Sequence, residues 1–381
     1  MVGPQSYENW RAHNESTRAR IYEFSLYSDA EIVDYEAITS PIGPYKFSKP
    51  YPNTQIDNSV KAGISVRFSW HDPIDEMSEI DFAKSDYKRS HGGSMFDEIA
   101  ALASLLCGIR FRVGGTIRSY PEDEGVDCSL WSREGYYPEP VLNISQDGCL
   151  LPRAIEQQSL LPLNNLTSYP NLTPEKANAL IQAARLYQDA LWIAESEPNL
   201  SWIMLVTALE TAANEFDSSK SEPLQLLQEN KADLVEYLAG LGINGLPERI
   251  ANEFKSLYNV TRKFKNFVMA HLPRPLEKRP HINAQSAWDE STMSSSLKKI
   301  YELRSKALHG GIPFPAPLCM APERHPKWAA VAERPPATYI DGNVWCTTDL
   351  PMHLHIFEYI TRRALNKWWI IEEQDNADIS N

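Results

Sequence analysis

A helix that is forced to stop constrains this chain more than any other stretch. Leu297–Gly311 reads LKKIYELRSKALHGG, with apolar residues at Leu297, Ile300, Tyr301, Leu303, Ala307 and Leu308, a helical rather than alternating spacing. Gly310 and Gly311 end it, and Pro313, Pro315 and Pro317 keep it from resuming. Inside it stand Arg304 and His309. Five residues turn a helix through about 500°, so the two side chains lie roughly 140° apart around the axis. A site shared by both requires a long arginine reaching round, a loosened last turn, or a second subunit. A plainer alternative stands beside it: a histidine before glycine also satisfies terminal carbonyls and opposes the helix dipole.

With 381 residues, 43% of them hydrophobic, the chain can bury a full core, and two domains are expected. The net charge of −13 argues against a broad nucleic-acid-coating surface but leaves room for a small basic cleft. The five cysteines, at 107, 128, 149, 319 and 346, are scattered and form no CxxC, which predicts reduced cytosolic thiols rather than a disulfide framework. The start, MVGPQSYENWRAHNES, has no apolar core of a secretory signal, and no uncharged run is long enough to span a membrane. A cytoplasmic protein without membrane association is expected, and sequons such as Asn143–Ser145 read as chance.

The first part of the chain is mixed in texture. A short helix is predicted near 17–25, a strand over Ala62–Trp70 (AGISVRFSW), and an acidic loop after it. Ser94 caps a helix through Cys107 with a broad apolar face and acids in its first turn. Ile109–Ile117 alternates and reads as a strand bent at Gly114 and Gly115. His91-Gly92-Gly93 could form an anion-binding turn, but a glycine turn leading into the Ser94 cap is the better reading. No dinucleotide or Walker spacing occurs. Residues 138–172 are loop-like, with repeated Pro and Asn, and place a domain boundary near 165.

From Thr173 the pattern turns helical. Thr173-Pro174-Glu175 starts one helix, Pro198-Asn199 ends it, and Leu200–Phe216 (LSWIMLVTALETAANEF) forms a second, strongly apolar one. Glu210 follows an uncharged run in that helix, so it either meets a basic partner or marks the outer edge. Leu224–Leu241 and Pro247–Ala270 read as two more helices. The latter carries Arg262-Lys263-Phe264-Lys265, which suits phosphate contact but also fits an ordinary solvated face. A small hairpin around Asp341-Gly342 and a final helix over 352–371 complete the reading. The fold class expected is α+β, a mixed α/β accessory domain over 1–165 followed by an all-α bundle over 166–381.

The second part resembles the HEPN family, α-helical domains with an Arg-x4–6-His motif near the end of a bundle, and within it the Apea-like branch. The resemblance rests on SWIMLVTALETAAN (201–214), TRKFKNF (261–267) and YELRSKALHGG (301–311), in that order. It implies metal-independent RNA cleavage in toxin or antiphage settings, with no cofactor and no metal. Arg304 and His309 match the motif pair, Glu210 falls where members keep a polar or acidic residue on the second core helix, and Ser305 takes the place of the usual Asn, Asp or His. Residues 1–165 show no motif of the family. They could sense a protein or phage-derived trigger.

The implied chemistry suits these residue types. Attack of a ribose 2′-OH on its own phosphorus needs a base, an acid for the leaving oxygen, and positive charge near the phosphorane. Imidazole handles protons near neutral pH, and a guanidinium matches two phosphate oxygens. One chain offers a single motif histidine for two proton roles, so a homodimer joining two copies is implied, as is characteristic of the family. The expected site has Arg304, His309 and Glu210 at its centre, with Ser305, Lys306, Arg262, Lys263 and Lys265 guiding RNA. A non-catalytic HEPN adaptor that binds RNA or dimerises is the alternative.

Overall fold

A computed structural model describes residues 2–15, 19–38, 40–50, 61–71, 91–120, 130–131, 148–216 and 222–370. The acidic loop after Trp70, Cys128 and the Asn143–Ser145 sequon lie outside the described residues. The chain is mixed α and β, with a small antiparallel sheet and many helices.

Helix α1 (Gln5–Glu15) precedes strands β1 (Arg20–Ser28), β2 (Glu31–Ile32), β3 (Tyr45–Ser48) and β4 (Lys61–Trp70). Helix α2 (Met95–Cys107), β5 (Arg112–Tyr120), β6 (Leu130–Trp131) and β7 (Gln157–Gln158) follow. The main sheet runs β3-β4-β1-β5-β6, and β2 pairs separately with β7. The helix expected near 17–25 is therefore corrected: Arg20–Ser28 is the central strand of the sheet. Its alternation decides this, because Phe24 and Leu26 face the core with Ile64, Val66 and Phe68. Glu23, just before Phe24, faces its cross-strand neighbours instead. It pairs in register with Arg67 and Arg118, and Arg67 donates to it at 2.6 Å. The bend expected at Gly114-Gly115 coincides with a register shift, where Phe24 opposes Thr116 but Leu26 opposes Val113.

Helix α2 starts at the predicted cap, with the Ser94 and Asp97 reciprocal capping box. Phe96 packs on Phe24 and Phe68 of the sheet at 5.0 and 5.3 Å between ring centroids. Glu98, fully buried, accepts from the Gln5 and Ser6 amides at the start of α1 and contacts His91 Nε2 at 2.7 Å. His91 is thus engaged by a carboxylate, and the turn serves the helix entry.

Helices α3 (Pro174–Ile193), α4 (Pro198–Phe216), α5 (Pro223–Asn230), α6 (Ala232–Gly240), α7 (Leu246–Ala270), α8 (Glu290–Gly310) and α9 (Leu354–Ile370) make up the rest, with a β8 (Thr338–Ile340) and β9 (Asn343–Trp345) hairpin before α9. Thr173 accepts from the Lys176 amide as the expected cap. The helix expected over Leu224–Leu241 is two helices, because Lys231 leaves helical geometry at φ −147°, ψ 58°. The hairpin turns at Asp341 and Gly342, both with positive φ. Trp202 anchors the bundle, stacked between Phe314 and Phe357 with its Nε1–H donating to the Leu318 carbonyl.

Texture changes near residue 165, but the core continues through it. The loop-like stretch ends in a 3-10 segment, Leu161–Asn171, with Leu163, Leu166 and Tyr169 buried. Arg110, 1% exposed, donates to Asp29 and Glu195, both at 2.7 Å, and to the Leu191 carbonyl. Asn366 of α9 donates to the Leu105 carbonyl of α2. One continuous apolar core spans the sheet, α2 and the later helices.

Candidate functional site

Helix α8 begins earlier than its apolar pattern suggests, at an Asp289 cap that accepts from the Thr292 amide. Its end is as expected. Gly311 takes φ 63° and returns its amide to the Lys306 carbonyl, as does Ile312. Buried Met293, Leu297, Ile300, Tyr301 and Leu303 fix the helix against the bundle.

Tyr301 and Arg304, three residues apart, share one flank of α8 and both reach Glu210 on α4. Arg304 Nη2 lies 2.5 Å from Glu210 Oε2, and the Tyr301 hydroxyl donates to Glu210 Oε1 at 2.8 Å. The Glu210 side chain is 9% exposed and that of Arg304 16%. Among the two readings of Glu210, the structure gives the partnered one. The Arg304 Nε is buried without a partner among the described residues, so the carboxylate engages one edge of the guanidinium only. The Arg304 guanidinium carbon also sits 5.8 Å from the Tyr301 ring centre.

The basic turn of α7 joins the same cluster through its uncharged residues. Phe264 packs its ring 5.3 Å from that of Tyr301, and Thr261 hydrogen-bonds the Tyr301 hydroxyl. Burial, followed by the hydrogen bond to Glu210 and its charge, raises the Tyr301 pKa, so the phenol stays protonated and available as a donor. Arg262, Lys263 and Lys265 flank Phe264 and are each half-buried. Arg262 donates to Asn259 one turn earlier.

His309 stands apart from this cluster. It is exposed in the last turn of α8, between exposed Leu308 and Gly310, and the helix stays α-helical through Gly310. The loosened last turn is therefore not used, and the angular separation from Arg304 persists. Ser305 is half-buried and Lys306 exposed. Leu308, Ile312 and Leu200 are exposed apolar residues, 47%, 57% and 42% accessible. Asn199, next to Leu200, accepts from the Phe314 amide, which ties the start of α4 to the segment that follows α8.

Tyr301 and Thr261 were not singled out from the sequence as polar participants. Tyr301 counted as one of the apolar positions of α8. Its spacing of three from Arg304 is the signal that could have marked it. Among the described residues, no three His, Cys, Asp or Glu side chains gather as metal ligands, and no helix is long and apolar enough to cross a membrane. Comparison with protein-family models, with curated proteins and with solved structures returns no match.

Proposed function

We propose that this protein is a metal-independent endoribonuclease of the HEPN type, acting as a cytoplasmic homodimer in defence or toxin settings. One observation carries the reading. The three segments on which the family resemblance rests meet around a single carboxylate–phenol pair, Glu210 and Tyr301. They are far apart in sequence and have different textures, so their convergence supports a common site.

In this reading Glu210 holds Arg304 by one edge, and the remaining donors face the scissile phosphate. His309 supplies proton transfer from an exposed position. Because Arg304 is turned toward α4 while His309 faces outward, the working pair is completed across a two-fold interface. Leu308, Ile312 and Leu200 supply an apolar rim for that interface. Lys306, Arg262, Lys263, Lys265 and Ser305 guide the RNA backbone at the margins.

The decisive assay is cleavage of total RNA and tRNA with EDTA present, by wild type and by His309→Ala. Cutting by wild type that disappears in the variant supports the reading, since an exposed histidine can be removed without disturbing the core. Cutting that persists in His309→Ala rejects this site. The burial of the Arg304–Glu210 pair also favours a second reading, a non-catalytic adaptor in which the pair only braces the bundle. That reading predicts RNA binding without cleavage by either protein.

A further inference from the structure

We propose that His13 and His71 form a two-histidine site for a transition-metal dication of the zinc class, which clips the end of α1 to the end of β4. The site belongs to the part of the chain that carries the main sheet, and it does not rest on the ribonuclease reading.

Its placement starts from Asn9. Asn9 is buried on α1, and His13 follows it by four residues, so the two share one helix face. The Asn9 side chain grips the end of β4 with both of its polar atoms. Its Nδ2 donates to the Ser69 carbonyl at 3.0 Å, and its Oδ1 accepts from the His71 amide at 2.9 Å. The His71 backbone is thereby fixed against the helix face that carries His13. His71 is 8% exposed and His13 is half-buried, so the pair is held from the His71 side and reached by water from the His13 side.

His13 Nδ1 and His71 Nε2 stand 3.2 Å apart, with ring centroids at 5.3 Å and ring planes inclined by 64°. Two nitrogens on one tetrahedral metal ion, each about 2.0–2.1 Å from it, are about 3.3–3.4 Å apart. The pair already has that bite, and its separation is at the long end for a hydrogen bond. Without metal, one ring donates and the other accepts across this gap. Binding moves that proton to the outer nitrogen of the same ring, and both inward nitrogens become ligands with no net change in bound protons. Imidazole pairs suit zinc, copper and nickel better than the hard cations.

The setting favours a cation. His13 is in the last turn of α1, where terminal carbonyls give the helix end a partial negative charge. Arg11, the other basic residue of α1, is two positions away, off that face, and pairs with Glu8 at 3.5 Å. The His353–His355 pair differs. Its rings are stacked 6.0 Å apart with planes only 28° from parallel, so their in-plane lone pairs do not converge on one ion. Two protein ligands at the His13 pair leave the remaining positions to water, which makes an open site rather than a closed structural one.

The test is equilibrium dialysis of the full chain against free Zn2+ at up to about 100 μM, for wild type, His13→Gln, His71→Gln and His281→Gln. Wild type and His281→Gln, which lacks an exposed histidine elsewhere, are expected to bind about one Zn2+ per chain with equal affinity. Each of the other two variants should bind at least about tenfold more weakly, because one ligand is gone. Folding of each variant is checked by thermal unfolding in EDTA. His13 is half-buried, so His13→Gln decides the matter alone if His71→Gln does not fold. No binding by wild type, or equal binding by folded His13→Gln, overturns the site and leaves the rings as a hydrogen-bonded pair. A tenfold loss in His281→Gln as well overturns it too, since that marks loose binding to surface histidines.

Discussion

Glu210 and Arg304 are separated by 94 residues and meet at 2.5 Å, joining the most apolar helix of the chain to the helix that ends in His309. A carboxylate in α4 would oppose folding on its own, and a mostly buried arginine in α8 likewise. Each is tolerated because the other is there. Replacing Glu210 with Gln leaves the Arg304 charge behind, and the expected loss is on the order of 3 kcal/mol in urea unfolding. A loss under about 1 kcal/mol would show that the pair is effectively solvated.

Tyr301→Phe separates support from structure. It keeps the ring against Phe264 but removes the hydroxyl that donates to Glu210. The expected stability loss is about 1 kcal/mol. If Tyr301 positions the pair, kcat should fall by about tenfold with KM little changed, which a merely structural role would not produce. Equal kcat in the variant and wild type would remove Tyr301 from the site.

Two glycines test the backbone account by contrast. Gly311 has φ 63° and nothing within 4 Å of a Cβ, whereas Gly108 has φ 71° and would place a Cβ against Arg362. Gly311→Ala should cost about 1 kcal/mol from conformation alone. Gly108→Ala should cost at least twice that, because the buried guanidinium must also shift. Equal costs in denaturant unfolding would contradict the packing at the end of α2.

How much of this was legible in the sequence depends on how local the cause was. Caps and stops were readable, because Ser94, Thr173, Gly311 and Asp341-Gly342 act on backbone groups a few residues away. The helix expected near 17–25 is instead the strand over 20–28, because its apolar alternation becomes decisive only once β4 and β5 flank it. The Lys231 break is not marked by a proline or glycine and was missed. Glu210 could be singled out as an expensive carboxylate, but periodicity fixes faces and not partners, so Arg304 and Tyr301 as its two donors came only with the structure. The ties of Arg110 to Asp29 and Glu195, which carry the core past residue 165, left no pattern in the sequence.

Acid sensitivity should be strong and should centre on α9. His353 and His355 stack with ring centroids 6.0 Å apart, and neither Nδ1 has a partner among the described residues. Burial lowers His353 to about 4, and burial together with the His353 charge lowers His355 to about 3. The unfolded chain takes up protons near pH 6.5 that the folded chain refuses until about pH 4 or below. Stability is therefore fully present above pH 6.5 and is lost as pH falls toward 4, by about 1.4 kcal/mol per unit for each histidine. His353→Gln should flatten the slope of unfolding free energy against pH in that window. An unchanged slope would mean the two rings are hydrated.

The composite-site claim is tested most directly by mixing chains. Wild type and His309→Ala are co-refolded in varied ratios, and RNA cleavage is measured against the wild-type fraction with EDTA present. If each active site needs His309 from both protomers, the rate falls as the square of that fraction, to about a quarter at an equal mixture. A rate that falls in simple proportion, or does not fall at all, would contradict a site shared between two copies of α8.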